Sequence, residues 1–84
     1  MTDADRLLNQ TVTALGLAYG GAKVEYNRAS DWFDRVRDPV VFEALQTRRT
    51  HLHALVALVG TLPTEVQTLV RARAQDIVDT AEEP

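Results

Sequence analysis

Apolar residues recur at alternating spacings of four and three along the first 36 positions of the chain. The positions that follow this spacing are Leu8, Val12, Leu15, Tyr19, Ala22, Tyr26, Ala29, Phe33 and Val36. Such spacing is typical of a helix that packs against other helices through a coiled-coil-like seam. It predicts one long N-terminal helix around which the rest of the chain is organised.

The glycine pair Gly20-Gly21 decides whether this first helix is continuous. Glycine inside a helix costs about 1 kcal/mol relative to alanine, so the pair could kink the helix or split it and give four helices. The apolar spacing crosses the pair without a change of phase, which a loop would have no reason to preserve. We therefore expect one helix over residues 3–37, with the glycines allowing another helix to approach closely. A small β-hairpin around the pair is a weaker alternative.

Proline and glycine mark the later boundaries. Asp38-Pro39 combines a good N-cap residue with a proline suited to the first helical turn, and it predicts a second helix over residues 39–59. Gly60 predicts the end of that helix, and Pro63 opens a third helix over residues 63–80. Both helices carry apolar stripes that can cover the first helix.

These elements predict an all-α fold, a small three-helix bundle in which residues 1–84 form a single domain. Short connections make consecutive helices antiparallel neighbours. A chain of 84 residues is small for a stable core, because only about 60–65% of its unfolded surface becomes buried. Since the first helix is longer than its partners, we expect it to overhang them and to leave apolar surface for another copy or another protein.

Composition and charge narrow the function classes. The net charge is −3 and the chain has no cysteine, so it has no general attraction to nucleic acid and no thiolate or disulfide chemistry. The longest apolar run, Ala54 to Val59, is too short to cross a bilayer, and the polar, acidic N-terminus does not resemble a secretory signal. We expect a cytoplasmic protein that does not act at a membrane. Its arginine, alanine and valine content suggests a bacterial or phage source.

The residues that usually carry catalysis are not grouped in a catalytic pattern. His51 and His53 lie two residues apart and point to different sides of a helix, so they cannot form the same-face pair of helical metal sites. Most acidic residues alternate with arginines, as on a solvated helix face. Neither a Glu-x-x-His motif nor a phosphate-binding loop is present. We expect no enzymatic activity, no metal and no cofactor.

A protein-interaction surface is the candidate site that we favour. Trp32 is adjacent to the seam residue Phe33, and Tyr26 lies two turns before it. Aromatic and arginine side chains are those that most often anchor protein interfaces. Arg48 and Arg49 interrupt an otherwise apolar face of the second helix, either as side chains that snorkel from its edge or as contacts for acidic groups of a partner. Trp32 either closes one end of the core or takes part in such a surface.

Residues 55–71 also permit an interpretation as a helix-turn-helix DNA-binding motif. The candidate DNA-contact residues are Arg48, Arg49, Arg71 and Arg73. Against this interpretation, Pro63 and Glu65 occupy the start of the supposed recognition helix, and the acidic C-terminal residues would repel DNA. A DNA-binding protein of this kind would be retained on duplex DNA in a salt-sensitive manner, and Arg71→Ala would reduce the retention.

We expect a small non-enzymatic protein that binds other proteins through its helical surfaces, as an adaptor, a regulator or inhibitor, or a minor component of an assembly. We also expect it to bind itself as a homodimer. If the seam mediates this assembly, polar substitutions of Leu15 and Phe33 abolish assembly together with stability. The alternative is a helix-turn-helix-like DNA-binding regulator that uses the helix after Pro63.

Overall fold

A computed structural model describes residues 2–82 as three α-helices joined by short connections. The helices are α1 at Asp3–Val36, α2 at Pro39–Gly60 and α3 at Thr64–Glu82. No strand occurs in the described part of the chain, and the predicted all-α three-helix bundle with a long first helix is confirmed. Three residues lie outside the description: Met1, Glu83 and Pro84, the last two at the end of the acidic tail.

α1 passes through Gly20 and Gly21 without a break. Neither glycine has a positive φ, so both are ordinary helical residues. The four-helix and β-hairpin alternatives are therefore wrong, because the uninterrupted apolar spacing reflects one continuous helix. Thr2 caps its start, since the Thr2 Oγ1 atom accepts a hydrogen bond of 3.1 Å from the backbone N–H of Asp5. The helix is about 51 Å long at 1.5 Å per residue and sets the longest dimension of the molecule.

Arg37 ends α1 in a conformation that glycine adopts more easily. Its backbone is left-handed, with φ 56° and ψ 30°, and its N–H donates a 2.9 Å hydrogen bond to the carbonyl of Phe33. A left-handed residue with a Cβ is strained by roughly 1–2 kcal/mol. The guanidinium lies 3.9 Å from an Asp34 carboxylate oxygen and 5.2 Å from the centre of the Phe33 ring. These exposed contacts offset only a small part of the strain.

We expect Arg37→Gly to raise the free energy of unfolding by about 0.5–1 kcal/mol, because glycine has no Cβ to strain at this position. Arg35→Gly is the matched control. Arg35 lies in the last helical turn, so this glycine should lower the free energy by up to about 1 kcal/mol. Urea unfolding followed by circular dichroism at one protein concentration measures both. A loss of stability in Arg37→Gly would contradict the strained helix end.

The start of α2 follows the predicted boundary. Pro39 occupies the first turn, and Asp38 Oδ1 accepts a 2.7 Å hydrogen bond from the backbone N–H of Val40. The end of α2 differs in mechanism from the prediction. Gly60 is the last helical residue and has no positive φ, so it is not a left-handed glycine cap. The helix ends instead at the turn that leads into Pro63, which cannot continue it because it has no N–H.

α3 begins directly after Pro63, one residue later than predicted, and continues to Glu82. The Pro63 carbonyl accepts a 2.9 Å hydrogen bond from the backbone N–H of Gln67. The Gln67 side chain turns back and donates 2.7 Å and 3.3 Å hydrogen bonds to the carbonyls of Leu62 and Gly60. One side chain thus satisfies the carbonyl of the last residue of α2 and one carbonyl of the connection to α3.

α2 and α3 both pack along α1 but have few contacts with each other. The Cα atoms extend over 51 × 29 × 16 Å, so the bundle is nearly twice as wide as it is thick. Three helices in a triangular bundle, with axes about 8–10 Å apart, would be about as wide as thick. The radius of gyration of 14.9 Å also exceeds the roughly 12 Å of a compact chain of this length. The molecule is a flat layer of three helices with α1 in the middle.

Two stripes of small residues on α1 account for this flat arrangement. Gly16 and Gly20 are buried against α3, and a Cβ added to Gly20 would lie 2.9 Å from the carbonyl oxygen of Ala74. Ala22 and Ala29 are also buried, and Ala29 lines a groove shared with α2. At 3.6 residues per turn the two stripes are about 150° apart around α1. α2 and α3 therefore lie on nearly opposite sides of α1.

The prediction of a single seam is corrected by this arrangement. The seam consists of two rows with seven-residue spacing. α2 packs along the row that contains Ala22 and Ala29 and also contacts Phe33 of the second row. The second row, Val12, Tyr19, Tyr26 and Phe33, lies in the angle between α2 and α3 and is partly buried. Leu8 and Val36, at the two ends of the seam, are exposed. α3 contacts α1 at glycines, which have no apolar side chains. The apolar spacing alone therefore could not reveal this second contact stripe on α1.

The core is made of small side chains. The buried apolar residues are Ala22, Ala29, Val41, Val59, Val70, Ala74 and Val78. The large apolar side chains that remain exposed are Leu7, Leu8, Leu17, Trp32, Val36, Val40, Phe42, Val56, Leu58 and Leu69. Leucine and aromatic side chains usually dominate the interior of a folded domain. Here the larger apolar residues are mostly distributed over the two broad surfaces of the layer.

Candidate protein-interaction surface

One broad surface of the layer carries the aromatic row of α1. Tyr19, Tyr26 and Phe33 follow one another at seven-residue intervals, so they lie on one side of the helix, and all three are partly buried. α2 and α3 flank the row without closing over it. The Lys23 ammonium lies 5.5 Å from the centre of the Tyr19 ring, within the range of a cation–π contact. The row is thus an aromatic surface of partly buried side chains between two helices.

α2 extends this surface through Phe42. The rings of Phe33 and Phe42 pack with centroids 5.3 Å apart and planes tilted by 53°. Arg49 and Val56 follow Phe42 at seven-residue intervals, so they lie on the same side of α2, and all three are exposed. We call this surface the tyrosine face. It consists of Tyr19, Tyr26 and Phe33 of α1 and Phe42, Arg49 and Val56 of α2.

Trp32 lies on the opposite broad surface. It borders a shallow groove between α1 and α2, which we call the tryptophan groove. The residues that line this groove are Glu25, Arg28, Ala29, Trp32, Ala44 and Arg48. Trp32 is 47% exposed and so does not close the end of the core. Charged side chains of both signs (Glu25, Arg28 and Arg48) line the groove together with the two alanines.

The adjacent arginines of α2 belong to different surfaces. The Arg48 Nε atom lies 3.6 Å from a carboxylate oxygen of Glu25, across the contact between α1 and α2 at the tryptophan groove. Arg49 is exposed on the tyrosine face. The ion pair is about half exposed, so it contributes less than about 1 kcal/mol to stability. The arginines therefore flank the apolar stripe of α2 and do not interrupt it.

The five predicted interaction residues consequently form two groups. Tyr26, Phe33 and Arg49 share the tyrosine face, whereas Trp32 and Arg48 share the tryptophan groove. Phe42 and Val56 lie on the tyrosine face but are not among the predicted interaction residues. Their seven-residue spacing with Arg49 was the available signal, but its meaning depended on knowing which side of α1 carries α2.

The candidate DNA-contact residues are distributed over several sides of the molecule. Arg71 and Arg73 are both exposed on α3, but two residues correspond to about 200° around a helix, so they point in nearly opposite directions. The start of the Arg73 side chain packs against Gly16, where an added Cβ would lie 2.6 Å from the Arg73 Cβ. Arg48 is paired with Glu25. These arginines do not share one continuous basic surface.

The described residues contain no group of three or more histidine, cysteine, aspartate or glutamate side chains placed to hold a metal ion. His51 and His53 are both exposed. Within residues 2–82, each helix is too short or too polar to span a membrane.

No protein-family model matches the chain, and neither a curated protein nor a solved structure matches it. The functional argument therefore depends on the surface chemistry of the chain itself.

Proposed function

We propose that this chain acts by binding protein, without enzymatic activity, and that a second copy of the chain is its first partner. The observation that carries this proposal is that the chain exposes more surface than a compact monomer of its mass. The accessible surface is 5915 Å² for a chain of 9.3 kDa, whereas a compact monomer of this mass exposes about 5,000 Å². The excess of about 900 Å² per chain is close to the roughly 800 Å² that each partner buries in a standard protein interface.

The chemistry of the exposed surface supports the same proposal. A monomer with a core of alanine and valine gains little from burial, because those side chains carry little apolar area. Leucine, tryptophan and phenylalanine side chains remain in contact with water instead, and Leu7 and Leu17 are more than 60% exposed. Exposed apolar surface of this extent usually marks a contact with another molecule. Association would bury the larger side chains that folding leaves exposed.

Within this proposal the chain is an adaptor, a regulator or inhibitor, or a minor structural component of an assembly. The alternative of a DNA-binding regulator has less support. A duplex-binding surface needs basic side chains that reach phosphates from one side of the protein. The candidate arginines diverge around α3 and α2, and one of them is paired with a carboxylate. We therefore do not adopt DNA binding as the function.

We expect the chain to form a dimer in solution. Light scattering on a sizing column, from about 1 μM to 1 mM protein, covers the dissociation constants of ordinary reversible association. The expected result is a mass that rises with concentration to twice the 9.3 kDa of the chain. A mass that stays at 9.3 kDa over the whole range would overturn self-association.

A further inference from the structure

We propose that the tryptophan groove between α1 and α2 binds a short segment of a partner protein that carries both acidic and apolar side chains. In this complex the carboxylates of the segment lie against Arg28 and Arg48, and its apolar groups lie against the indole of Trp32. The inference rests on the proposal that the chain acts by binding protein. It goes beyond the proposed self-association because it concerns a different partner.

The shape of the groove suits side chains of a protein segment. Ala29 of α1 and Ala44 of α2 both line it, so each helix contributes a small side chain where the depression forms. Its volume of about 250 Å³ lies below the roughly 300–1,000 Å³ of pockets that enclose small molecules. The groove therefore admits side chains of a partner whose backbone stays outside it.

Trp32 supplies the apolar contact of the groove. Almost half of its side chain is exposed to water in the free chain. Tryptophan and arginine are among the residues most enriched at the positions that dominate the energy of protein interfaces. An apolar side chain of a partner that covers the indole would remove this surface from water, which favours binding.

The charges of the groove favour an acidic partner. Two guanidinium groups and one carboxylate line it, although the whole chain has a net charge of −3. The Arg48 Nε atom lies 3.6 Å from a Glu25 carboxylate oxygen, which is beyond hydrogen-bond distance. Within residues 2–82, Arg28 forms no ion pair, although it also borders Asp31 and Glu82 in a neighbouring depression. Both arginines can therefore donate hydrogen bonds to a carboxylate of a partner.

The combination of these groups selects among classes of partner. A basic segment would place like charges against Arg28 and Arg48 with only Glu25 to compensate them. A nucleic acid requires several basic side chains along its phosphates, whereas this groove offers two beside an apolar indole. Arginine matches the planar geometry of a carboxylate, and the indole matches an apolar side chain. A protein segment with both kinds of side chain satisfies the whole groove.

The fluorescence of Trp32 tests the proposal directly, because the chain contains one tryptophan. The probe is a short blocked peptide of glutamate and leucine residues, and its control has glutamine in place of every glutamate. At low salt we expect a saturable fluorescence change with a dissociation constant below about 1 mM for the glutamate peptide. The glutamine peptide should bind about tenfold more weakly or less. Equal affinity for the two peptides, or no change with either, would overturn the proposal.

Substitutions of one charge each separate the groove from general electrostatic attraction. Arg28→Gln should raise the dissociation constant of the glutamate peptide about fivefold or more. Arg71→Gln makes the same change of net charge on an exposed side chain of α3 and should leave the constant within about twofold. Circular dichroism verifies that both variants remain helical. Equal effects of the two substitutions would show attraction to the whole chain and contradict a site in the groove.

Glu25→Gln tests the same site by a gain of affinity. This substitution removes the carboxylate that competes for Arg48 in the groove. We expect it to lower the dissociation constant of the glutamate peptide about threefold, the size of an exposed ion pair. A loss of affinity in Glu25→Gln would contradict the assignment of the arginines as carboxylate contacts.

The outcomes also distinguish the groove from self-association. A chain that dimerises but does not bind the glutamate peptide keeps the proposed function and loses this site, whereas a monomer that binds the peptide keeps the site and loses self-association. If the Trp32 fluorescence changes with protein concentration alone, a second copy occupies the groove and the assignment to another partner is wrong. If inorganic phosphate changes the fluorescence as strongly as the peptide, the groove is a general anion site and the assignment is also wrong.

Discussion

Gly20→Ala is expected to lower the free energy of unfolding by up to about 2 kcal/mol, although alanine is the better helix former. The new Cβ would lie 2.9 Å from the Ala74 carbonyl oxygen and 3.1 Å from the Ala74 Cα. Backbone atoms cannot rotate away, so α3 must move outwards and loosen its contact with α1. The resulting strain of about 1–3 kcal/mol exceeds the helix-propensity gain of roughly 1 kcal/mol.

Gly21→Ala is the control because it has the same chemistry one position further along α1. A Cβ at Gly21 meets no atom within 4 Å, so only the helix-propensity gain remains. We expect this variant to be more stable than the natural chain by about 0.5–1 kcal/mol. Thermal unfolding at one fixed protein concentration would show opposite shifts, each of several degrees for a domain of this size. Stabilisation by both substitutions would contradict the close contact between α1 and α3.

The glycines show what the sequence could establish about the fold. Continuity of α1 was predictable because the apolar spacing keeps its phase across Gly20-Gly21. The expected close approach of another helix occurs at Gly20, where α3 lies, but not at Gly21, where an added Cβ meets no atom within 4 Å. The direction of the approach was not predicted. Gly16 and Gly20 let α3 come close to α1 because they have no side chains. Hydrophobic periodicity records only the side chains that are present, so it does not mark this contact. The sequence therefore predicted three helices but not their arrangement in a flat layer.

The candidate site was predictable to a similar extent. The aromatic row was visible from its spacing, and Tyr26 and Phe33 were correctly placed on one side of α1. Trp32 is adjacent to Phe33 in sequence, but about 100° separates them around the helix. Two side chains 100° apart share a surface of the layer only if no neighbouring helix packs between them. Because α2 packs between the two directions, Trp32 and Phe33 face opposite broad surfaces of the layer.

Val70→Ala is expected to lower the free energy of unfolding by about 2–3 kcal/mol. Val70 has no exposed surface, and with Val59 it is one of the two largest fully buried side chains. It packs against α1 at the level of Gly16, whose added Cβ would lie 3.5 Å from the Val70 carbonyl oxygen. Truncation removes two methyl groups from a contact between helix backbones that already lie close together. α3 therefore has little freedom to move inwards and fill the cavity.

Leu69→Ala removes more carbon atoms from the adjacent position, yet it should lower stability by less than about 1 kcal/mol. Leu69 is 47% exposed and lies on the side of α3 away from its contact with α1. We therefore expect the smaller truncation, Val70→Ala, to cost more stability than the larger one, Leu69→Ala. Urea unfolding of both variants at matched concentration measures the difference. A larger loss of stability in Leu69→Ala than in Val70→Ala would contradict the burial of Val70 in the contact between α1 and α3.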